Sequence, residues 1–205
     1  MTKEQFKAQY INELTAVCAN LGIAVDWLVT IIGVETANTY SPSITNGIGC
    51  VGLIQFCPGH GDVAVGSTTA QLKQMTVEQQ LPYVQKYFEV QKQTFGMQWN
   101  SFADVYMTVF LPAYASKPDS FTVSQTIVNS NPYLFQNPND KTLGTLRARM
   151  NSFCMYCDNK KASNSFLPNA AASISSPDFL GKLLGVTAIL GASYILHKIW
   201  QAKTY

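Results

Sequence analysis

Apolar positions recur at helical spacing through most of residues 1–158. Thr2-Lys3-Glu4-Gln5 fits a capping box, with threonine as N-cap and glutamine three residues on. Phe6, Tyr10, Leu14, Val17 and Leu21 then keep one apolar face, and Gly22 supplies a stop, so the spacing predicts a single first helix. Asp26 is the expected cap of a second helix whose buried surface is Trp27, Leu28, Ile31, Ile32 and Val34. Glu35 falls at the C-terminal end of that helix. Residues 38–66 lack the helical period and read as irregular, with at most one short hairpin. Thr76-Val77-Glu78-Gln79 opens a helix running through Leu81, Tyr83, Val84, Tyr87, Phe88 and Val90, with Pro82 expected near its first turn. Ser101-Phe102-Ala103-Asp104 opens another, carrying Val105, Tyr106, Val109 and Phe110, and Pro112 marks its end. Segments 122–129 and 141–153 read as two shorter helices. The expected fold class is mainly α.

The pattern changes after residue 158. Residues 159–178 are small, polar and proline-containing, which predicts a linker. Residues 179–200, FLGKLLGVTAILGASYILHKIW, are largely apolar. As a helix they would span about 33 Å, enough for a bilayer core. Lys182, His197 and Lys198 would lie at the interfaces with Trp200, and Gly181 and Gly185 form a GxxxG packing motif. The expected organisation is a body over 1–158, a linker over 159–178 and a transmembrane helix over 179–200, with a lipid bilayer as partner.

Charge and cysteine content narrow the function. The net charge is +2, but residues 159–205 carry five lysines against one aspartate, which leaves the body slightly acidic. No basic stripe is available for phosphates, so nucleic acid is excluded as the partner of the body. Residues 1–16 show no secretory signal pattern. Five cysteines cannot form a complete disulfide framework, and reduced, buried thiols are the expectation. Two alternatives stay open: a zinc site from Cys57, His60, Cys154 and Cys157, and a Cys154–Cys157 disulfide. Neither a metal nor a cofactor is expected.

Glu35 is the chief candidate for chemistry. Desolvation at the end of an apolar helix and the negative end of the helix dipole both disfavour its anion, so a raised pKa is expected. A carboxyl that stays protonated near neutral pH can donate to the leaving oxygen of a glycoside. Gly47, Gly49 and Gly52 permit close backbone approach of a sugar chain, and Gln55 offers both a donor and an acceptor.

Glu35, Tyr40 and Pro42, followed by Gly49-Cys50-Val51-Gly52-Leu53-Ile54-Gln55-Phe56, resemble the signature of lytic transglycosylases and goose-type lysozymes. That signature is Glu-Ser, a spacer, and Gly-x-x-Gly-Leu-Met-Gln. Ser101–Tyr114 is similar, more loosely, to the helix that carries an aromatic over the sugar site in phage-type members. Leu111-Pro112-Ala113-Tyr114 stands where many members have Tyr-Asn-Ala-Gly, so Tyr106 and Tyr114 are both candidates for that contact. Thr36 replaces the usual serine, with a hydroxyl able to bond the carboxyl.

The resemblance implies a lysozyme-like fold and a peptidoglycan glycan strand as substrate. The bond cut would be the β-1,4 link between N-acetylmuramic acid and N-acetylglucosamine. Glu35 would serve as the one catalytic acid and base, with Gln55, Thr36, Gly52, Tyr106 and Tyr114 binding substrate. Inverting hydrolysis would need a second carboxylate, and Asp62 is the nearest in sequence. The expected setting is the membrane of a bacteriophage virion, with capsid or other virion proteins as partners. The alternative is a catalytically inactive lysozyme-like module that anchors a particle to a membrane. A chitin-directed enzyme is a third reading.

Overall fold

The computed structural model describes residues 1–135, 137 and 139–163. The 179–200 segment read as a membrane helix lies outside the described residues, as does most of the 159–178 linker. Among the described residues no helix is long and apolar enough to cross a membrane.

The described chain is mainly helical. In order it forms α1 (Lys3–Gln9), α2 (Ile11–Leu21), α3 (Val25–Glu35), α4 (Gly61–Val65), α5 (Thr69–Lys73), α6 (Val77–Phe95), α7 (Phe102–Phe110), a 3-10 turn (Pro112–Tyr114), α8 (Gln125–Ser130) and α9 (Leu143–Ser152). Reciprocal capping boxes at Thr2, Thr68, Thr76 and Ser101 start α1, α5, α6 and α7. Single side-chain caps from Ser124 and Thr142 start α8 and α9. Gly22 ends α2 in the left-handed conformation at φ 69°.

Three expectations about the helices need correction. The run from Phe6 to Leu21 is two helices, because the chain turns at Tyr10. The turn lets Phe6 stack on Tyr40 at 4.8 Å between ring centroids while α2 packs along α6. Ala24, not Asp26, occupies the N-cap of α3; the Asp26 carboxylate instead pairs with Lys7 and accepts the Asp158 N–H at 2.8 Å. Pro82 is the sixth residue of the 19-residue α6, one turn deeper than expected, and removes an N–H from the helix interior.

Helix α3 is the centre of the body. Every residue from Trp27 to Gly33 is buried, so the helix is apolar all round, with α1, α2 and α7 against it. Complete burial of Leu28, Ile31 and Ile32 contributes about 1.5–3 kcal/mol each. Between α3 and α4 the expected hairpin is reduced to isolated antiparallel bridges, Thr45 with Val51 and Val51 with Phe56; no strand forms among the described residues.

The body also holds residues 159–162, which composition assigns to the linker. Lys161 bridges to Ala24, Ala162 donates its N–H to the Ile23 carbonyl at 3.0 Å, and the Trp27 indole donates to Asn159 at 2.7 Å. The cysteines differ from expectation too. Cys50 pairs with Cys57 and Cys154 with Cys157, which leaves Cys18 as a buried thiol.

Candidate active site

The apolar faces of α3 carry its last residue, Glu35, into the interior, where it is 1% exposed. Tyr87 of α6 lies near it. Burial pushes the Tyr87 phenol well above its ordinary range, and the Glu35 charge adds to the shift. The carboxyl is therefore buried close to a phenol that stays protonated.

The chain leaves α3 through a turn built by Thr36. Its hydroxyl donates to the Ile32 carbonyl at 2.7 Å and accepts the Tyr40 N–H at 3.0 Å. Thr36 is thus fully buried and bonded to backbone on both sides, which makes it a cap of the helix end. Gly33 is required by the same turn, since a Cβ there would stand 2.8 Å from the Tyr40 hydroxyl oxygen.

The glycine-rich segment is held from α6. Gln80 is completely buried on the apolar face of that helix and makes three bonds to backbone. Its Oε1 accepts the Leu53 N–H at 2.9 Å, and its Nε2 donates to the carbonyls of Pro42 at 2.6 Å and Leu72 at 2.7 Å. Gly52, at φ +80°, is the contact point; a Cβ there would lie 2.7 Å from Gln80 Nε2. The buried disulfide between Cys50 and Cys57 closes the segment.

Gln55 lies within this closed loop and is 4% exposed. Its Nε2 donates to the Gly52 carbonyl at 3.0 Å, while its Oε1 is buried with no donor. Such an acceptor carries a desolvation cost of about 1–3 kcal/mol until a donor reaches it. Gln55 also has φ 55°. Ala37, Asn38 and Tyr40 are the other non-glycine residues with positive φ among those described, so all four fall between positions 37 and 55. Left-handed backbone at such residues costs about 1–3 kcal/mol each, and strain of this kind gathers where proteins bind or react.

The remaining candidates are scattered. Tyr106 is completely buried, with its ring packed against Phe102, Phe110 and Phe153 at 5.9, 6.1 and 6.5 Å. Tyr114 is half-buried in the 3-10 turn, 5.5 Å from the Phe121 ring, and is the more reachable of the two tyrosines. Asp62 is buried in the first turn of α4, where its carboxylate accepts the Val63 N–H at 2.7 Å. His60 precedes α4 and is half-buried, with its Nδ1 unpartnered. The four side chains weighed for zinc do not form a site: their three cysteines sit in two separate disulfides, and no group of three ligating side chains occurs among the described residues.

Sequence reasoning missed Gln80 and Tyr87. The signal for Gln80 was present, since it interrupts the face formed by Val77, Leu81, Val84 and Phe88. A glutamine at an apolar helical position has to find bonds inside the protein.

No family model matches the chain, and no curated protein or solved structure is detectably similar to it. The site is therefore read from its own chemistry: a buried carboxyl, an unpartnered amide oxygen, and a strained loop fixed by Gln80 and a disulfide.

Proposed function

We propose that the protein is a peptidoglycan lytic transglycosylase with a lysozyme-like body. Glu35, as a carboxylic acid, protonates the bridging oxygen between N-acetylmuramic acid and N-acetylglucosamine, and the C1–O bond breaks. The resulting carboxylate takes the proton from the muramyl C6 hydroxyl, whose oxygen closes on C1 to form a 1,6-anhydro ring. The acid is regenerated and no water is consumed. Gln55 Oε1 accepts a hydrogen bond from the sugar. The proposal places the enzyme in a virion membrane, held by residues 179–200.

The observation that carries this reading is the burial of Glu35 beside a strained loop that turns an unpartnered amide oxygen inward. The same burial favours the second reading, a non-catalytic module, because a carboxyl that is 1% exposed is closed to a glycan in this conformation.

The test uses the full chain in mild detergent with purified cell-wall sacculi. Products lighter than hydrolysis products by one water are expected, and Glu35→Gln should lower the rate by about 10²–10⁴-fold. Products with free reducing ends would instead indicate hydrolysis. A folded protein that binds sacculi without releasing fragments would establish the non-catalytic module.

A further inference from the structure

The second disulfide has surroundings that the glycan chemistry does not use. Cys154 and Cys157 form a turn after α9, with Cys154 buried and Cys157 half-buried. Between them Met155 and Tyr156 are 68% and 94% exposed, the most exposed large hydrophobic side chains among the described residues. The Lys3 ammonium lies 3.9 Å from Cys157 Sγ and donates to Thr30 Oγ1 at 2.9 Å. Thr30 in turn donates to the Asp26 carbonyl at 2.7 Å. Its oxygen, 3.8 Å from Cys154 Sγ and 3.4 Å from Cys157 Sγ, is left to act toward sulfur as an acceptor.

We propose that Cys154–Cys157 is a thiol–disulfide exchange site whose working sulfur is Cys157 and whose partner is an external dithiol. The two sulfurs have different environments. Once the bond is open, Lys3 favours a thiolate at Cys157, outweighing the Asp26 carbonyl 3.8 Å from that sulfur. Thr30 Oγ1 is an acceptor within reach of both sulfurs, and Cys154 has no cation beside it among the contacts described. The other charges nearby are Asp26 and Asp158. Asp26 is compensated by Lys7 and the Asp158 N–H, and the Asp158 carboxylate accepts the Lys160 N–H at 2.9 Å. Lys3 is the cation closest to the sulfur.

In the reducing direction, one thiolate of the dithiol attacks Cys157 Sγ. The S–S bond breaks, and Cys154 leaves with the electron pair and takes a proton. The second thiolate of the dithiol attacks the mixed disulfide, and Cys157 leaves as a thiolate beside Lys3. The protein gains two electrons, and the dithiol becomes a disulfide. In the reverse direction the Cys157 thiolate attacks a substrate disulfide, and Cys154 resolves the intermediate. The exposed Met155 and Tyr156 flank the point of attack.

The experiment titrates the folded full chain with dithiothreitol and maps iodoacetamide labels by mass spectrometry over pH 5–10. Cys154–Cys157 should open at concentrations that leave Cys50–Cys57 intact, and Cys157 should label ahead of Cys154. Lys3→Met should slow Cys157 labelling at pH 7 about five- to tenfold by moving its profile upward about one pH unit, and Lys3→Arg should restore it. Circular dichroism confirms that each variant is folded. The proposal fails if both disulfides open together, if Cys154 labels first, or if Lys3→Met leaves the pH profile unchanged. It does not depend on the glycan reading.

Discussion

The Cys50–Cys57 loop and the Cys154–Cys157 turn are closed by the same bond over short spans. Chain entropy alone gives each about 2 kcal/mol, too similar to distinguish them. Their surroundings differ. The first loop is covered by the core, pinned by Gln80 and strained at Gln55. The second projects Met155 and Tyr156 into water with a lysine beside one sulfur. The contrast teaches that a disulfide's role is set by what its loop is packed against. One bond holds a conformation in place, while the other stands within reach of a reagent.

The largest expected effect sharpens the first half of that contrast. Gln80→Leu removes three backbone bonds and leaves the Leu53 N–H and the Pro42 carbonyl without their partner, while the Leu72 carbonyl keeps the Met75 N–H, a cost of about 2–5 kcal/mol measurable by urea unfolding. A loss below 1 kcal/mol would show that the loop is not held from α6. Next come the serine pairs. Replacing Cys50 and Cys57 together should lower stability by about 2 kcal/mol and reduce sacculus cleavage at least tenfold. Replacing Cys154 and Cys157 should cost a similar stability and leave cleavage within twofold. Equal effects on cleavage would break the comparison.

The smallest effect is electrostatic and belongs to the second turn. Burial opposes the Asp26 anion, but Lys7, the Asp158 N–H and Lys3 outweigh it and hold the carboxyl below its ordinary range. A depressed folded value contributes stability above the unfolded value of about 3.9, and that stability is lost as pH falls through the folded one. Because the pair with Lys7 is partly exposed, the contribution is about 1 kcal/mol or less. Asp26→Asn should therefore lower the urea midpoint at pH 6 and flatten its decline between about pH 4 and pH 2.

The sequence was most legible where the physics is local. Thr2, Thr76 and Ser101 cap helices through partners three residues away, and each box is present in the fold. The break at Tyr10 was hidden because the apolar period runs through it; the turn is made by packing on Tyr40 and α6. Helices α4 and α5 have five residues each, too few for a period to register, although Thr68 and Gln71 spelled a capping box. At the site, the burial of Glu35 followed from the apolar helix before it. The bonding of Thr36 to backbone did not follow, because a hydroxyl beside a carboxyl has several partners within reach. The odd cysteine count misled in a simple way, since two disulfides and one buried thiol also make five.

Residues 159–162 lie against the junction of α2 and α3 through the Lys161–Ala24 bridge, to which the Ala162 N–H to Ile23 carbonyl bond belongs, and through the Asn159–Trp27 indole bond, while the Lys161 ammonium donates to the Trp99 carbonyl at 3.4 Å. Tension applied to the chain beyond Ser163 would meet these bonds before it met any helix. Pulled free, these four residues would lengthen the chain leaving the body by roughly 13 Å, at 3.3–3.6 Å for each freed residue. The body would keep its shape while gaining that much reach.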